Sequence, residues 1–137
     1  MAATFAFEIV SPERLLLSRP VEMAVIPAAE GEMGILPGHA PMILSLAGGV
    51  IRVHEGGQVT ERLFVMGGFA EVTPTRVTVL AEEALPVAEI TKAEAQKRLA
   101  AAEADYAAAV AAGDVAAREA AMARAIAARR MEEVAAG

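Results

Sequence analysis

At 137 residues the chain has room for one domain of ordinary size and a small appendage, and 55% hydrophobic residues are enough to fill a core. It contains no cysteine, which excludes disulfides, thiolate metal ligands and a cysteine nucleophile together. The formal net charge of -6 runs opposite to the balance of a nucleic-acid binder.

The opening segment, MAATFAFEIV, lacks a basic stretch, an apolar block and a small-residue cleavage site, so no leader peptide is expected. Nor is a membrane-spanning helix, because no apolar run approaches the roughly 18 residues such a helix needs. From Phe5 the pattern has period two. Phe5, Phe7 and Ile9 alternate with Ala6 and Glu8, and Val21, Met23 and Val25 alternate with Glu22 and Ala24. Ile51 and Val53 alternate with Arg52 and His54, which puts His54 on the exposed polar side, and Val77 and Val79 flank Thr78. Gly48-Gly49, Gly56-Gly57, Gly67-Gly68 and Pro74 read as turns between these short strands. Residues 1–88 therefore predict an antiparallel β-sandwich.

Within that half lies EGEMGILPGHAPMI, residues 30–43, with two carboxylates, a histidine, three glycines and two prolines. Glu30, Glu32 and His39 have the residue types for general acid–base work. Yet His39 and His54 are the only histidines, and no GxSxG or HExxH motif supplies partners. A metal site would need more converging ligands than this loop holds, so neither a catalytic residue nor a metal is expected. Gly67-Gly68 lacks the GxxxxGK[ST] or GxGxxG context of a phosphate cradle, so no cofactor is expected there. The segment reads better as a rigid, protruding contact surface.

Near residue 88 the composition changes, and residues 89–137 are rich in alanine. Thr91 followed by Glu94 forms a capping box for a first helix. Leu99, Ala102, Tyr106 and Val110 then mark one face. Gly113 ends that helix and Asp114 caps a second, along which Val115, Met122 and Ile126 continue an apolar stripe. Two helices of about 20 residues, each roughly 30 Å long, should form an antiparallel hairpin. The fold class is α+β. Because most inward positions are alanine, the seam buries little area, so the hairpin either stays in place or undocks without melting. Arg118, Arg124, Arg129 and Arg130 face only Glu119 between residues 118 and 130. That excess is either a solvated face or a cationic strip for an acidic partner.

GEMGILPGHAPMI (31–43), the GG-F-x-E-V-x-P run at 67–74 followed by VTVLAEEA, and the helix GDVAAREAAMARAIAARR resemble the epsilon subunit of F-type ATP synthase, called delta in mitochondria. The similarity covers nearly the whole chain in the expected order. It implies a non-catalytic subunit of the central rotor stalk, whose sandwich binds the gamma subunit and rests on the ring of c subunits. Rotation driven by proton flow then passes to the catalytic head. By position in the motif, Glu30, Glu32 and Gly34 would lie toward the c ring and His39 toward the gamma/c junction. The hairpin would either fold down or extend, and when extended would inhibit ATP hydrolysis as Arg118, Arg124, Arg129 and Arg130 meet an acidic segment of a beta subunit. The subunit would sit peripherally on the cytoplasmic side of a bacterial inner membrane, without inserting into it.

One departure bears on regulation. Some bacterial members bind ATP through an I/L-D-x-x-R-A motif, and the matching residues here are Ile90, Thr91, Lys92, Ala93, Glu94 and Ala95. Thr91 replaces the aspartate, and Glu94 stands where a cation would meet phosphate. ATP binding is expected to be weak or absent. An ATP-sensing module and a small enzyme using Glu32 and His39 are the alternatives to the rotor subunit.

Overall fold

The computed structural model describes residues 3–135. Strands come first: β1 (Phe5–Val10), β2 (Leu15–Val21), β3 (Met23–Ala28), β4 (Gly31–Ile35), β5 (Met42–Glu55), β6 (Gln58–Val72), β7 (Arg76–Ala81) and β8 (Ala84–Pro86). A 3-10 turn at Val87–Glu89 leads to α1 (Lys92–Ala112) and α2 (Val115–Val134). The chain divides into two compact units, Met1–Pro86 and Val87–Gly137.

Strand order is β2-β1-β7-β6-β5-β3-β4, with β8 beside β6. All neighbours are antiparallel except β1 and β7, which run parallel. Those two strands are far apart in sequence, so no tight hairpin dictates their relative direction. β5 and β6, of 14 and 15 residues, each serve two layers. β6 pairs with β7 through Gly68–Val72 and with β8 through Leu63–Val65. β5 carries β3 on both sides of Gly48-Gly49, with Ala24 facing Val53 and, past a register shift, Ala28 facing Leu46.

Glycine lets these long strands bend. Gly48-Gly49 and Gly67-Gly68 lie opposite one another, with Leu46 facing Gly68 and Gly48 facing Met66. They are bends inside continuous strands, not the turns that the sequence suggested. Gly68 has φ +119°, and a methyl there would collide with the Leu80 carbonyl. At Gly49 a methyl would come within 2.9 Å of the Pro27 ring. Gly56-Gly57 does turn the chain, with φ of 60° and 75° joining β5 to β6. Positive φ at both positions matches the right-handed twist of the flanking strands.

One apolar cluster draws on every strand, which is what makes the bent sheet a sandwich. Phe5, Phe7 and Ile9 point inward as their alternation predicts, and the two rings meet edge to face at 6.1 Å. Full burial of a side chain such as Phe7 is worth about 1.5–3 kcal/mol. The phase changes between β2 and β3. Val21 is buried, but Ala24 and Ile26 follow it inward while Met23 and Val25 are half-buried. The chain bends at Glu22, whose N–H donates to the His54 carbonyl at 3.1 Å. A one-residue offset in a strand reverses both faces, so the alternation at 21–25 does not carry through the bend. His54 differs from expectation too, being half-buried with an unpartnered Nε2.

The hairpin is closed by its caps. Thr91 Oγ1 accepts from the Glu94 N–H at 3.1 Å. Gly113, left-handed at φ 68°, ends α1, and the Asp114 N–H donates to the Ala109 carbonyl at 3.0 Å. The Asp114 carboxylate then accepts from the Ala117 N–H at 3.0 Å and starts α2. Buried alanines recur every seven residues, at 95, 102 and 109 in α1 and at 121 and 128 in α2. A seven-residue repeat on facing helices defines a seam. Leu99 and Tyr106 are half-buried beside it. Val110, Val115, Met122 and Ile126, read from spacing as an inward stripe, are instead about half exposed at 51, 54, 48 and 46%.

Candidate docking surfaces

The stretch 30–43 is only partly a loop. Ala29 and Glu30 form a two-residue turn between β3 and β4, followed by Gly31 at φ 134°. Residues 31–35 then form β4, the outermost strand of its layer. Period-two geometry sends Ile35 into the core and leaves Glu32 and Gly34 on the outer face. Beyond β4 the chain turns through Pro37 and Gly38, the latter at φ 82°. The Gly38 N–H donates to the Pro74 carbonyl at 2.8 Å, tying this loop to the β6–β7 connection.

Glu30 and His39 therefore flank opposite ends of a strand about 17 Å long. Glu30 is exposed at the hairpin tip and has no ion-pair partner among the described residues. Glu32 is held by Arg52 of β5 in a two-pronged pair at 2.9 and 3.1 Å. The Arg52 hydrogen bonds hold its carboxyl below the usual carboxylate range, against the opposing effect of desolvation. A carboxylate so engaged is a poor proton acceptor, and His39 is not beside it. His39 is half-buried, with Nδ1 3.3 Å from the Ala40 carbonyl oxygen. Glu30, Glu32 and Gly34 share one edge, and His39 belongs to the next loop. Among the described residues no group of three or more His, Cys, Asp or Glu could hold a metal ion.

A second surface was not singled out from the sequence. Leu15 faces Val10, Val10 faces Leu80, and Leu80 faces Phe69, so the four lie in register across β2, β1, β7 and β6. Leu15, Leu80 and Phe69 are 57, 56 and 57% exposed, and Ile43 on β5 reaches 74%. A shallow groove of about 360 Å³ runs beside them, lined in part by Val10, Phe69 and Leu80. The signal was present in the sequence: Phe69 and Leu80 put large apolar residues in the phase opposite to Ala70 and Val79, where a solvated sheet face would carry polar ones.

On the hairpin, Arg124 pairs with Asp105 at 3.3 Å and Arg129 with Glu103 at 4.0 Å, both across the helices. Arg118 is exposed on the first turns of α2, and Arg130 lies on its last turns. At the start of α1, Glu94 pairs with Arg98 one turn on at 3.2 Å. The Glu94 carboxylate thus occupies the end of the helix where a phosphate would otherwise be attracted. No helix among the described residues is long and apolar enough to cross a membrane.

The described residues thus present an edge strand with a charged tip, an exposed apolar sheet face and an arginine-bearing hairpin. The family model for the β-sandwich domain of the ATP synthase Delta/Epsilon chain matches residues 4–87. An ATP synthase epsilon chain of Granulibacter bethesdensis is 68% identical over 107 residues, covering 78% of each chain. One from Rhodospirillum rubrum is 52% identical over 103 residues, covering 75% of this chain and 77% of its own. The chain belongs to the ATP synthase delta/epsilon chain family. Its fold matches a chain in a cryo-EM structure of the Euglena gracilis mitochondrial ATP synthase, containing OSCP, F1 and the c-ring, with a TM-score of 0.76 at 27% identity. That match covers 97% of this chain and 82% of the other. A chain of the Tetrahymena thermophila central stalk and c-ring, 12% identical with a TM-score of 0.70, shares the fold over 98% of both chains.

Proposed function

We propose that the chain is a non-catalytic subunit of the central stalk of a proton-translocating ATP synthase, turning with the rotor and passing c-ring rotation through gamma to the catalytic head. The exposed apolar row Leu15–Val10–Leu80–Phe69 carries this reading. A contiguous apolar patch on an otherwise well-packed domain marks a protein interface, and its occupant here is gamma. The β3–β4 edge meets the c ring. Glu30 at the tip is available to a basic or polar group of the ring, and Glu32, already satisfied by Arg52, shapes the edge beside Gly34. His39, in the loop tied to Pro74, lies toward the gamma/c junction.

The hairpin is the regulatory part, extending to bring Arg118, Arg124, Arg129 and Arg130 against an acidic segment of a beta subunit. The sheet carries a core cluster made only of its own residues, so the two functions are separable. On this reading the subunit sits peripherally on the cytoplasmic side of a bacterial inner membrane. The test is ATP hydrolysis by a catalytic head with gamma, with the full chain or with the chain cut after Ala88. Both should bind, and only the full chain should slow turnover. If both bind and neither slows it, the hairpin is not a brake. If neither binds, the stalk assignment fails.

A further inference from the structure

From Leu99 to the end of α1 the charged residues are Glu103 and Asp105 alone. Over residues 118–130, α2 carries arginines against Glu119 alone. In the closed hairpin these two sets meet: Asp105 takes Arg124 at 3.3 Å and Glu103 takes Arg129 at 4.0 Å. The side chains in both pairs are more than half exposed, at 52 and 62% and at 65 and 56%. They sit beside a seam built mainly of alanines, flanked by half-buried Leu99 and Tyr106, and the one large side chain that α2 fully buries is Met131.

We propose that α1 is a built-in mask for the cationic strip of α2: Glu103 and Asp105 occupy Arg124 and Arg129 while the hairpin is closed, and an acidic segment of another chain must displace them. This rests on the reading of α2 as the element that meets an acidic beta-subunit segment. The two carboxylates present the same chemistry to the arginines as that segment does, so binding is an exchange of one acidic partner for another. Exposed ion pairs exchange readily. The mask therefore sets a threshold for engagement and does not lock the hairpin. The seam allows this exchange, because small alanine side chains fill most of it and alanine's helix propensity keeps each helix intact. Salt weakens the internal pairs and the external contact alike. Only a change made on the α1 side separates the two.

The experiment uses the full-length chain with Glu103→Gln and Asp105→Asn together, and a second variant with Arg124→Gln and Arg129→Gln. Circular dichroism checks that both remain helical. Fluorescence anisotropy measures binding of a labelled poly-glutamate peptide to each isolated chain, and ATP hydrolysis is measured with each chain added to the head with gamma. Removing the acids is expected to tighten peptide binding by roughly two- to thirtyfold, the combined effect of two exposed pairs. The arginine variant should bind the peptide more weakly than the unmodified chain. Unchanged or weaker peptide binding by the acid-neutral variant overturns the mask. If its peptide binding tightens but neither variant changes ATP hydrolysis, the mask stands and the beta-subunit reading of α2 falls. Tighter peptide binding together with stronger inhibition supports both.

Discussion

Arg19 on β2 donates to the Glu55 carboxylate at 2.7 and 3.2 Å and reaches Glu61 at 3.5 Å, joining the edge of one layer to the β5–β6 end of the other. Glu55 also accepts from the Thr60 hydroxyl. The Arg19 hydrogen bond, with help from Thr60, holds the Glu55 carboxyl below its ordinary value of 4.5, and Arg52 does the same for Glu32. Both groups are more acidic folded than unfolded. Their stabilising contribution is complete above the unfolded value, near pH 4.5, and disappears as pH falls through the lower folded values. Urea midpoints should therefore hold steady from pH 7 to about pH 5 and decline below it. Glu55→Gln should lower stability at pH 7 by about 0.5–1.5 kcal/mol and flatten that decline. An equally steep decline in the variant would remove Glu55 from the explanation.

At the scale of elements, strand β4 and the start of α1 show how local chemistry is read through its neighbours. Glu32 and His39 look like a catalytic pair when seven residues apart in sequence, but a strand and a turn carry them to different places. In α1, Thr91 completes the cap and Glu94 lies on the first turn against Arg98. A helix N-terminus favours anions, and here its own glutamate meets that preference. Calorimetric titration of the full chain with Mg-ATP should show no isotherm at micromolar nucleotide. A Glu94→Arg variant is not expected to gain tight binding, since Thr91 still lacks the carboxylate of the motif. A clear isotherm in the unmodified chain would restore the ATP-sensing reading. The caps at Thr91, Gly113 and Asp114 were legible in the sequence because each depends on residues within one turn. The inward face of α2 was not, because spacing alone does not say whether alanine or a larger residue meets the other helix.

Across the whole molecule, the apolar row exists only where β2, β1, β7 and β6 come side by side. Replacing Phe69 and Leu80 together by Asp should leave the sandwich folded, since both side chains point away from the core cluster. It should weaken binding to gamma at least a hundredfold, as expected when central apolar anchors of an interface are replaced by charge. Unchanged thermal unfolding with lost co-purification is the expected result. Retained co-purification would remove this row from the proposed contact with gamma.

The sequence by itself determined the change from β-sandwich to helical hairpin, the inward set Phe5, Phe7, Ile9, Ile51, Val53, Val77 and Val79, the Gly56-Gly57 turn and the helix caps. All of these depend on periodicity or on contacts within a few residues, which a linear pattern records directly. Tertiary structure alone decided that Gly48-Gly49 and Gly67-Gly68 bend strands without ending them, and that the alternation shifts phase at Glu22. It also decided that Arg52 takes Glu32, that α1 acids face α2 arginines, and that four strands from distant parts of the chain align Leu15, Val10, Leu80 and Phe69. Each of these depends on which segments become neighbours. Strand pairing is fixed by burial of the whole core, not by any short stretch of residues.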